Sequence, residues 1–343
     1  MKLSDKQLSS IENCQKIIIC QAENPDGDSL ASALALAEIM TSLNKQTVLY
    51  CPVQVPNYLR YIKGWESVSD NFDNSADLAI IVDTSAKALI DKMLANPLAK
   101  TFFDSTPSLV LDHHAGVQPD LPFETEYVIS DSAVSTGELI YDLAITYNWP
   151  INVEAATNLY ISIQSDSLGL TTANTTADSF MACGNLVKTG VSPASVEEER
   201  RELAKKSARV LQYKGRLIER IEYWHNGRTA FIHIPFSEIQ EYSNEYNPTM
   251  LVLDEMRMVN DVDVAIGIKT YPDGKLTAKI RSNIPIANAI AKAFGGDGHS
   301  YAAGFKVMES LDDFTPELVK QLSNIYDQYD EKEQSSEENH EAI

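Results

Sequence analysis

Leu78-Ala79-Ile80-Ile81-Val82-Asp83 and Leu109-Val110-Leu111-Asp112-His113-His114 share one design: a continuous apolar run that ends on a carboxylate. A run with no polar alternation is what a strand buried on both faces requires. Two earlier segments, Lys16–Cys20 and residues 47–50, read as strands as well, with an alanine- and leucine-rich helix between them over residues 29–43. A helix-length piece, residues 86–100, separates the two quoted runs. This β-α-β rhythm predicts an α/β fold with a mostly parallel sheet covered by helices on both faces. Ligands of such sheets gather at the carboxyl ends of the strands, where Asp83 and Asp112 fall.

A carboxylate and two imidazoles in a row at the mouth of a buried strand are costly without a cation. Unpaired charge beside a core costs several kcal/mol, roughly, and a divalent ion turns that cost into binding energy. Two further acidic stations accompany the triplet. Asn24-Pro25-Asp26-Gly27-Asp28 follows the first strand and opens a helix, its Asp-x-Asp spacing turning two carboxylates toward one pocket; Asp166 stands in Gln164-Ser165-Asp166 after a later helix. Each piece alone reads equally well as a helix cap, a turn former or a core histidine. Together, each at a loop edge, they form a metal site whose mixed oxygen and nitrogen donors suit Mn²⁺, Fe²⁺, Zn²⁺ or Co²⁺ better than Ca²⁺ or Mg²⁺ alone. So many ligands point to two ions about 3.5–4 Å apart, the geometry of phosphoester hydrolysis.

The bulk numbers narrow the substrate. The chain has 343 residues, enough for two domains, and a net charge of −21. Such a surface repels long duplex nucleic acid, whose binding needs many cations on phosphate. A phosphate-bearing substrate is therefore small and reaches its site through metal ions and a few local cations. No stretch is long and apolar enough to span a bilayer, so no membrane partner is expected. Cys14, Cys20, Cys51 and Cys183 form no CxxC pair and read as reduced, buried thiols, which favours a cytoplasmic address.

The pattern assigns residues 1–190 to the first domain, 191–226 to a helical linker, 227–326 to a smaller α/β domain and 327–343 to a tail. Ser192-Pro193-Ala194-Ser195 starts the linker as a capped, charged helix expected to run to Tyr223. In the second domain, strands are expected at 229–234, 262–271, 276–281 and 302–307, with helices at 236–242, 248–259, 285–294 and 311–326. Pro272-Asp273-Gly274 marks a hairpin turn. The tail holds seven acids against one lysine without apolar periodicity, and reads as disordered.

Asn24-Pro25-Asp26-Gly27-Asp28, Val82-Asp83-Thr84, Asp112-His113-His114 and Gln164-Ser165-Asp166, with Asn174-Thr175-Thr176 behind it, resemble the four motifs of the DHH phosphoesterases. Gly295-Gly296-Asp297-Gly298-His299 followed by Ala302-Ala303-Gly304 resembles the glycine-rich signature of the DHH-associated C-terminal domain. The resemblance covers about residues 10 to 310, and its style is that of the bacterial oligoribonuclease and pAp-phosphatase branch. It implies Asp26, Asp28, Asp83, His113 and Asp166 as ligands of two ions, Mn²⁺ first, with Mg²⁺, Co²⁺ and Fe²⁺ as substitutes. Asp83 is implied to bridge the ions, while Asp112 and His114 orient ligands or contact the scissile phosphate. Arg281, Ser282, Gly295, Gly296, Gly298 and His299 are implied to hold substrate, with the glycines offering backbone N–H groups to phosphate.

The implied activity is a metal-dependent phosphodiesterase, an exoribonuclease that cuts short single-stranded RNA or linear dinucleotides such as pApA to mononucleotides and removes phosphate from pAp, as a monomer or a homodimer. Two other readings stay open: a cyclic-dinucleotide phosphodiesterase, and a nucleotide-binding protein that has lost turnover. The second rests on one departure. Members of this branch place a histidine four residues before the first motif aspartate, and Ala22 stands there. The first metal site is then weak, altered in preference or empty, unless Glu23 or Asn24 supplies an oxygen.

Overall fold

A computed structural model describes residues 2–114, 118–298 and 300–341, with side chains to residue 334. The chain divides into two compact units, Met1–Lys205 and Lys206–Ile343.

The first unit is built on six parallel strands: β1 (Lys16–Cys20), β2 (Gln46–Tyr50), β3 (Val68–Ser69), β4 (Leu78–Val82), β5 (Ser108–Asp112) and β6 (Glu126–Ile129). Their order across the sheet is β3-β2-β1-β4-β5-β6, all pairs parallel. The order reverses between β1 and β4, which opens a crevice at their carboxyl ends. The helices are α1 (Asp5–Asn13), α2 (Gly27–Ser42), α3 (Asp91–Leu94), α4 (Pro97–Phe103), α5 (Thr136–Tyr147), α6 (Val153–Asp166), α7 (Ala177–Thr189) and α8 (Pro193–Ala204). Side chains alternate between the faces. Ile17 and Ile19 of β1 meet Leu30, Leu34 and Ile140 on the α2–α5 side, while Ile18 and Cys20 meet Phe72, Met93 and Phe102 on the other. Each fully buried isoleucine contributes about 1.5–3 kcal/mol through burial. The parallel, doubly covered sheet agrees with the expectation, and β1 and β4 have the bounds read from sequence. The helix expected over residues 86–100 is instead a short turn and two short helices. Asn96 caps α4 and Pro97 occupies its first turn, where a proline's missing N–H is harmless but would break a continuous helix.

The expected linker helix is likewise two helices. α8 ends at Ala204, Lys205 is extended, and Ser207 caps α9 (Ala208–Ile218) by accepting from Val210 N. Val210, Tyr213 and Leu217 of α9 are buried in the second unit's core, so α9 belongs to that unit. Its strands are β7 (Glu222–Trp224), β8 (Thr229–Ile234), β9 (Val264–Thr270), β10 (Lys275–Ser282), β11 (Asp297–Gly298) and β12 (Ala302–Met308), in the order β11-β12-β10-β9-β8-β7. Only β8 and β9 pair in parallel. The remaining helices are α10 (Phe236–Tyr242), α11 (Leu253–Arg257), α12 (Ala287–Ala293) and α13 (Leu311–Glu341). One face of the sheet carries Ile266, Leu276, Ile280 and Phe305 against α12 and α13. On the other face α9, α10 and α11 cover β8 and its neighbour through Ala230, Ile232 and Ala265.

The tail expected to be disordered from residue 327 continues α13 instead. Phe314, Leu318, Leu322 and Tyr326 recur at helical spacing in the core, and Arg228 then holds both carboxylate oxygens of Asp330 at 2.7 and 3.0 Å. Composition hid this, because glutamate, lysine and glutamine are good helix formers once a preceding turn is anchored.

Candidate metal centre

Four chain segments meet at the carboxyl ends of β1, β4 and β5. α2 begins there because Asp26 caps it: its carboxylate accepts from Ser29 N at 3.0 Å, and Ser29 Oγ accepts from Asp26 N at 2.9 Å. Gly27 is required at the next position, since a Cβ would lie 2.1 Å from Ser165 Oγ of α6. Asp28 is fully buried. Its Oδ1 accepts from Ser32 Oγ at 2.8 Å, Ser162 Oγ at 2.5 Å and Gly137 N at 3.3 Å, and its Oδ2 accepts from Thr136 N at 2.8 Å. Two of these donors are backbone N–H groups at the start of α5, where a carboxylate is favoured electrostatically.

Asp83 leaves β4 with φ of 64°, in the left-handed region that non-glycine residues seldom occupy. That conformation directs its carboxylate to the hydroxyl of Thr136, which donates to Oδ1 at 3.0 Å. Thr136 thus bonds two acids, Asp28 through its backbone and Asp83 through its side chain. Burial, and then the neighbouring carboxylates of Asp28, Asp26 and Asp166, push Asp83 well above the usual carboxylate range.

The triplet after β5 organises itself. Asp112 Oδ1 accepts from His113 N at 2.8 Å, His114 N at 3.2 Å and His114 Nδ1 at 2.7 Å. Burial works against the charge on Asp112, but these bonds from His114 outweigh it and hold the acid below its ordinary range. Asp112 therefore fixes the His114 ring directly and His113 only through its backbone N–H. His114 is half-exposed, with its Nδ1 engaged by Asp112.

His113 is the centre of the site. Its Nε2 lies 3.1 Å from Asp166 Oδ2, 3.5 Å from Asp28 Oδ2 and 3.6 Å from Asp83 Oδ1, is buried, and has no well-aligned hydrogen bond to any of them. Burial disfavours its proton, yet the surrounding Asp166 and Asp28 reverse that and push the imidazole up to about 9. Three carboxylate oxygens around one orphaned imidazole nitrogen fit a divalent cation. Two donor sets are close enough to hold ions, Asp28–His113–Asp166 and Asp83–His113–His114. They share His113, whereas Asp83 was expected to bridge. An imidazole nitrogen has one lone pair and serves one ion, so one nitrogen of His113 cannot complete both sets at once. Asp26 is in neither set: its carboxylate caps α2, although burial raises it and Asp28 and Asp166 are near enough for their charges to raise it further.

Neither Ala22 nor Glu23 brings a donor to these two sets. Ala22 is buried, with its carbonyl accepting from Cys51 Sγ at 3.4 Å. Glu23 turns to the start of α3, where it accepts from Lys92 N at 2.9 Å. Sequence reasoning missed the cage of Ser32, Thr136, Gly137 and Ser162. Its only linear signal is the Ser135-Thr136-Gly137 start of a helix, which resembles any N-cap.

In the second unit, Arg281, Gly295, Gly296 and Gly298 line one open pocket of about 770 Å³, on the part of the sheet that α9–α11 leave uncovered. Gly296 is needed there, because a Cβ would meet the Gly304 carbonyl at 2.3 Å. Ser282 does not line it: it is buried, its hydroxyl donating to the Asp263 carbonyl at 3.0 Å and accepting from Ile284 N at 3.3 Å. The side chains of a strand alternate, so Ser282 points to the face opposite Arg281. His299 lies outside the described residues. The pocket adds three lysines that sequence reasoning passed over, Lys269, Lys279 and Lys306. All four cysteines are buried and free, and no helix among the described residues is long and apolar enough to cross a membrane.

Comparison with known proteins agrees with the motifs. The probable bifunctional oligoribonuclease and PAP phosphatase NrnA of Streptococcus mutans is 25% identical over 326 residues, 93% of this chain and 97% of the relative. The bifunctional oligoribonuclease and PAP phosphatase NrnA of Bacillus subtilis is 23% identical, over 85% and 89% of the two chains. The crystal structure of an exopolyphosphatase-related protein from Bacteroides fragilis shares the fold, with a TM-score of 0.80 at 20% identity over 95% of each chain. Residues 16–163, which include β1, β4, β5 and most of α6, match the model of the DHH family, N-terminal domain.

Proposed function

We propose that the chain is a metal-dependent phosphodiesterase that cuts short oligoribonucleotides and linear dinucleotides to mononucleotides and also removes phosphate from pAp. The observation that carries this reading is the convergence of Asp28, Asp83 and Asp166 on the buried Nε2 of His113, within 3.1–3.6 Å. The names of the similar relatives support the substrate class. Mn²⁺ suits the mixed donors, and a pair of such ions supplies Lewis-acid stabilisation of the phosphoryl oxygens and an activated water.

The chain's own residues have distinct tasks. Asp28, His113 and Asp166 would hold one ion, and Asp83 would help to hold a second. Thr136, Ser162 and the start of α5 fix the carboxylates, so little reorganisation is needed as charge develops. His114, oriented by Asp112, offers Nε2 to the scissile phosphate. Arg281 and the Gly295–Gly298 turn bind nucleotide phosphate. The net charge of −21 disfavours long duplexes and favours small substrates.

The test gives purified protein with Mn²⁺ pApA, a short RNA, cyclic di-AMP and pAp side by side. Hydrolysis of pApA and RNA, with cyclic di-AMP spared, is expected. Cleavage of cyclic di-AMP alone would shift the substrate class. Nucleotide binding without any turnover would overturn the enzyme reading in favour of a binding protein that lost a ligand at Ala22.

A further inference from the structure

The uncovered face of the second unit's sheet concentrates positive charge where nothing in the fold requires it. Thr277, Lys279 and Arg281 are the outward residues of β10, two apart in sequence. Thr277 pairs with Lys269 on β9 and with Lys306 on β12. Neighbouring strands run about 4.8 Å apart, so the two lysines rise about 10 Å from each other across Thr277, with Lys279 about 7 Å further along. Lys279 pairs with a glycine on both neighbouring strands, Gly267 and Gly304.

These cations have no carboxylate partner among the described residues. Lys269 donates to Asn247 Oδ1 at 2.6 Å, Lys279 approaches Met250 Sδ at 3.9 Å, and Arg281 donates to the Ile280 carbonyl at 3.0 Å. The contrast within the unit is sharp: Arg209 pairs with Glu241 and Glu245, Arg220 with Glu238, and Arg228 with Asp263 and Asp330. One acid, Asp297, lines the pocket, and its Oδ1 accepts from Gly298 N at 2.8 Å and from Asn288 Nδ2 at 3.2 Å. In a chain with 49 acids, gathering four cations around a single acid leaves this pocket net positive, which works against folding. Burial and mutual repulsion lower the proton affinity of Lys269 and Lys279, which records that cost.

A phosphodiester brings one negative charge and two free oxygens. A terminal phosphomonoester brings nearly two charges and three oxygens, which answers a cluster of this size better. We propose that Lys269, Lys279 and Lys306 form a subsite for the terminal phosphomonoester of a short oligonucleotide, beside the glycine turn and Arg281. The inference rests on the reading of the chain as an enzyme of short oligonucleotides, and adds that it selects phosphorylated ends.

The Mn²⁺-loaded full chain is given pApA, ApAp and ApA, which differ only in a 5′-phosphate, a 3′-phosphate or neither, and kcat/KM is compared. One phosphorylated form should exceed ApA by about tenfold or more. Substituting Lys269→Met, Lys279→Met and Lys306→Met together should bring that ratio to about one, with each single variant lowering it in case the triple variant does not fold. Which form wins identifies the end that is held. A ratio near one in the unaltered chain, or an unchanged ratio in folded variants, overturns the inference while leaving the phosphodiesterase intact. Failure to hydrolyse all three dinucleotides overturns the reading of function, and this one with it.

Discussion

Replacing Thr136 by valine removes one hydroxyl and little else. Valine keeps the shape and the backbone N–H that serves Asp28 Oδ2 at 2.8 Å, while Asp83 Oδ1 loses its donor at 3.0 Å. A hydrogen bond to a buried charged group is worth about 1.5–3 kcal/mol. In the metal-free protein that loss is muted, because Asp83 is surrounded by Asp28, Asp26 and Asp166 and pushed toward its neutral form. With a cation bound Asp83 must be ionised, and the missing bond is felt in full. We therefore expect Thr136→Val to weaken Mn²⁺ binding about 10- to 100-fold, as loss of a ligand-orienting partner does, equivalent to about 1.4–2.7 kcal/mol. Calorimetric titration with Mn²⁺ measures it, and thermal melting with and without Mn²⁺ should show wild-type behaviour only in the metal's absence. Thr136→Ser should restore most of the affinity. Wild-type Mn²⁺ affinity in Thr136→Val would refute the idea that this residue fixes Asp83 for the ion.

Gly137→Ala should destabilise the fold by about 1–3 kcal/mol, because its Cβ would lie 2.0 Å from Ser162 Oγ and 2.5 Å from Ser162 Cβ. Gly184→Ala, with open space around its Cβ in α7, should instead stabilise by about 0.5–1 kcal/mol; equal melting shifts would sink the contrast. Ala22→His should raise the amount of Mn²⁺ retained after gel filtration if residue 22 is where the first ion lacks a ligand, and unchanged metal content would count against that. Burial, and secondarily Lys279, lower Lys269 to about 8 from an ordinary 10.5. Between those values the unfolded chain binds more protons than the folded one, so this group's contribution to stability rises with pH there. Binding of AMP, a dianion across this range, should conversely weaken as pH rises through about 8 and lose that step in Lys269→Arg. A flat profile between about pH 7 and 9 in the unaltered chain would exclude Lys269 from the phosphate site.

Legibility in the sequence followed how local the cause was. β1, β4, β8 and α10 have the bounds that uninterrupted apolar runs and flanking turn residues announce. Asp28, Asp83, His113 and Asp166 were legible because each ends or begins an element whose carboxyl or amino end is fixed by that pattern. The cage around Asp28 was not, since Ser162 of α6 and Thr136 of α5 acquire meaning only when those helices pack beside α2. The lysine floor left a faint trace, the period-two series Thr277, Lys279, Arg281, but its other members come from β9 and β12, and strand pairing is not written in either alone. The linker break at 205–207 and the helical tail turned on one cap, Ser207, and one anchor, Arg228, each too slight to stand out against charged composition.

The left-handed backbone of Asp83 constrains how this site can be lost. Among common residues only glycine, asparagine and aspartate take that conformation readily. A lineage that abandons metal chemistry can therefore remove the charge cheaply only through asparagine or glycine, because a bulkier or β-branched residue would strain the end of β4 as well. Relatives with asparagine at this position would record retired catalysis on an intact scaffold, and relatives with valine or isoleucine would signal that the strand end itself has been rebuilt.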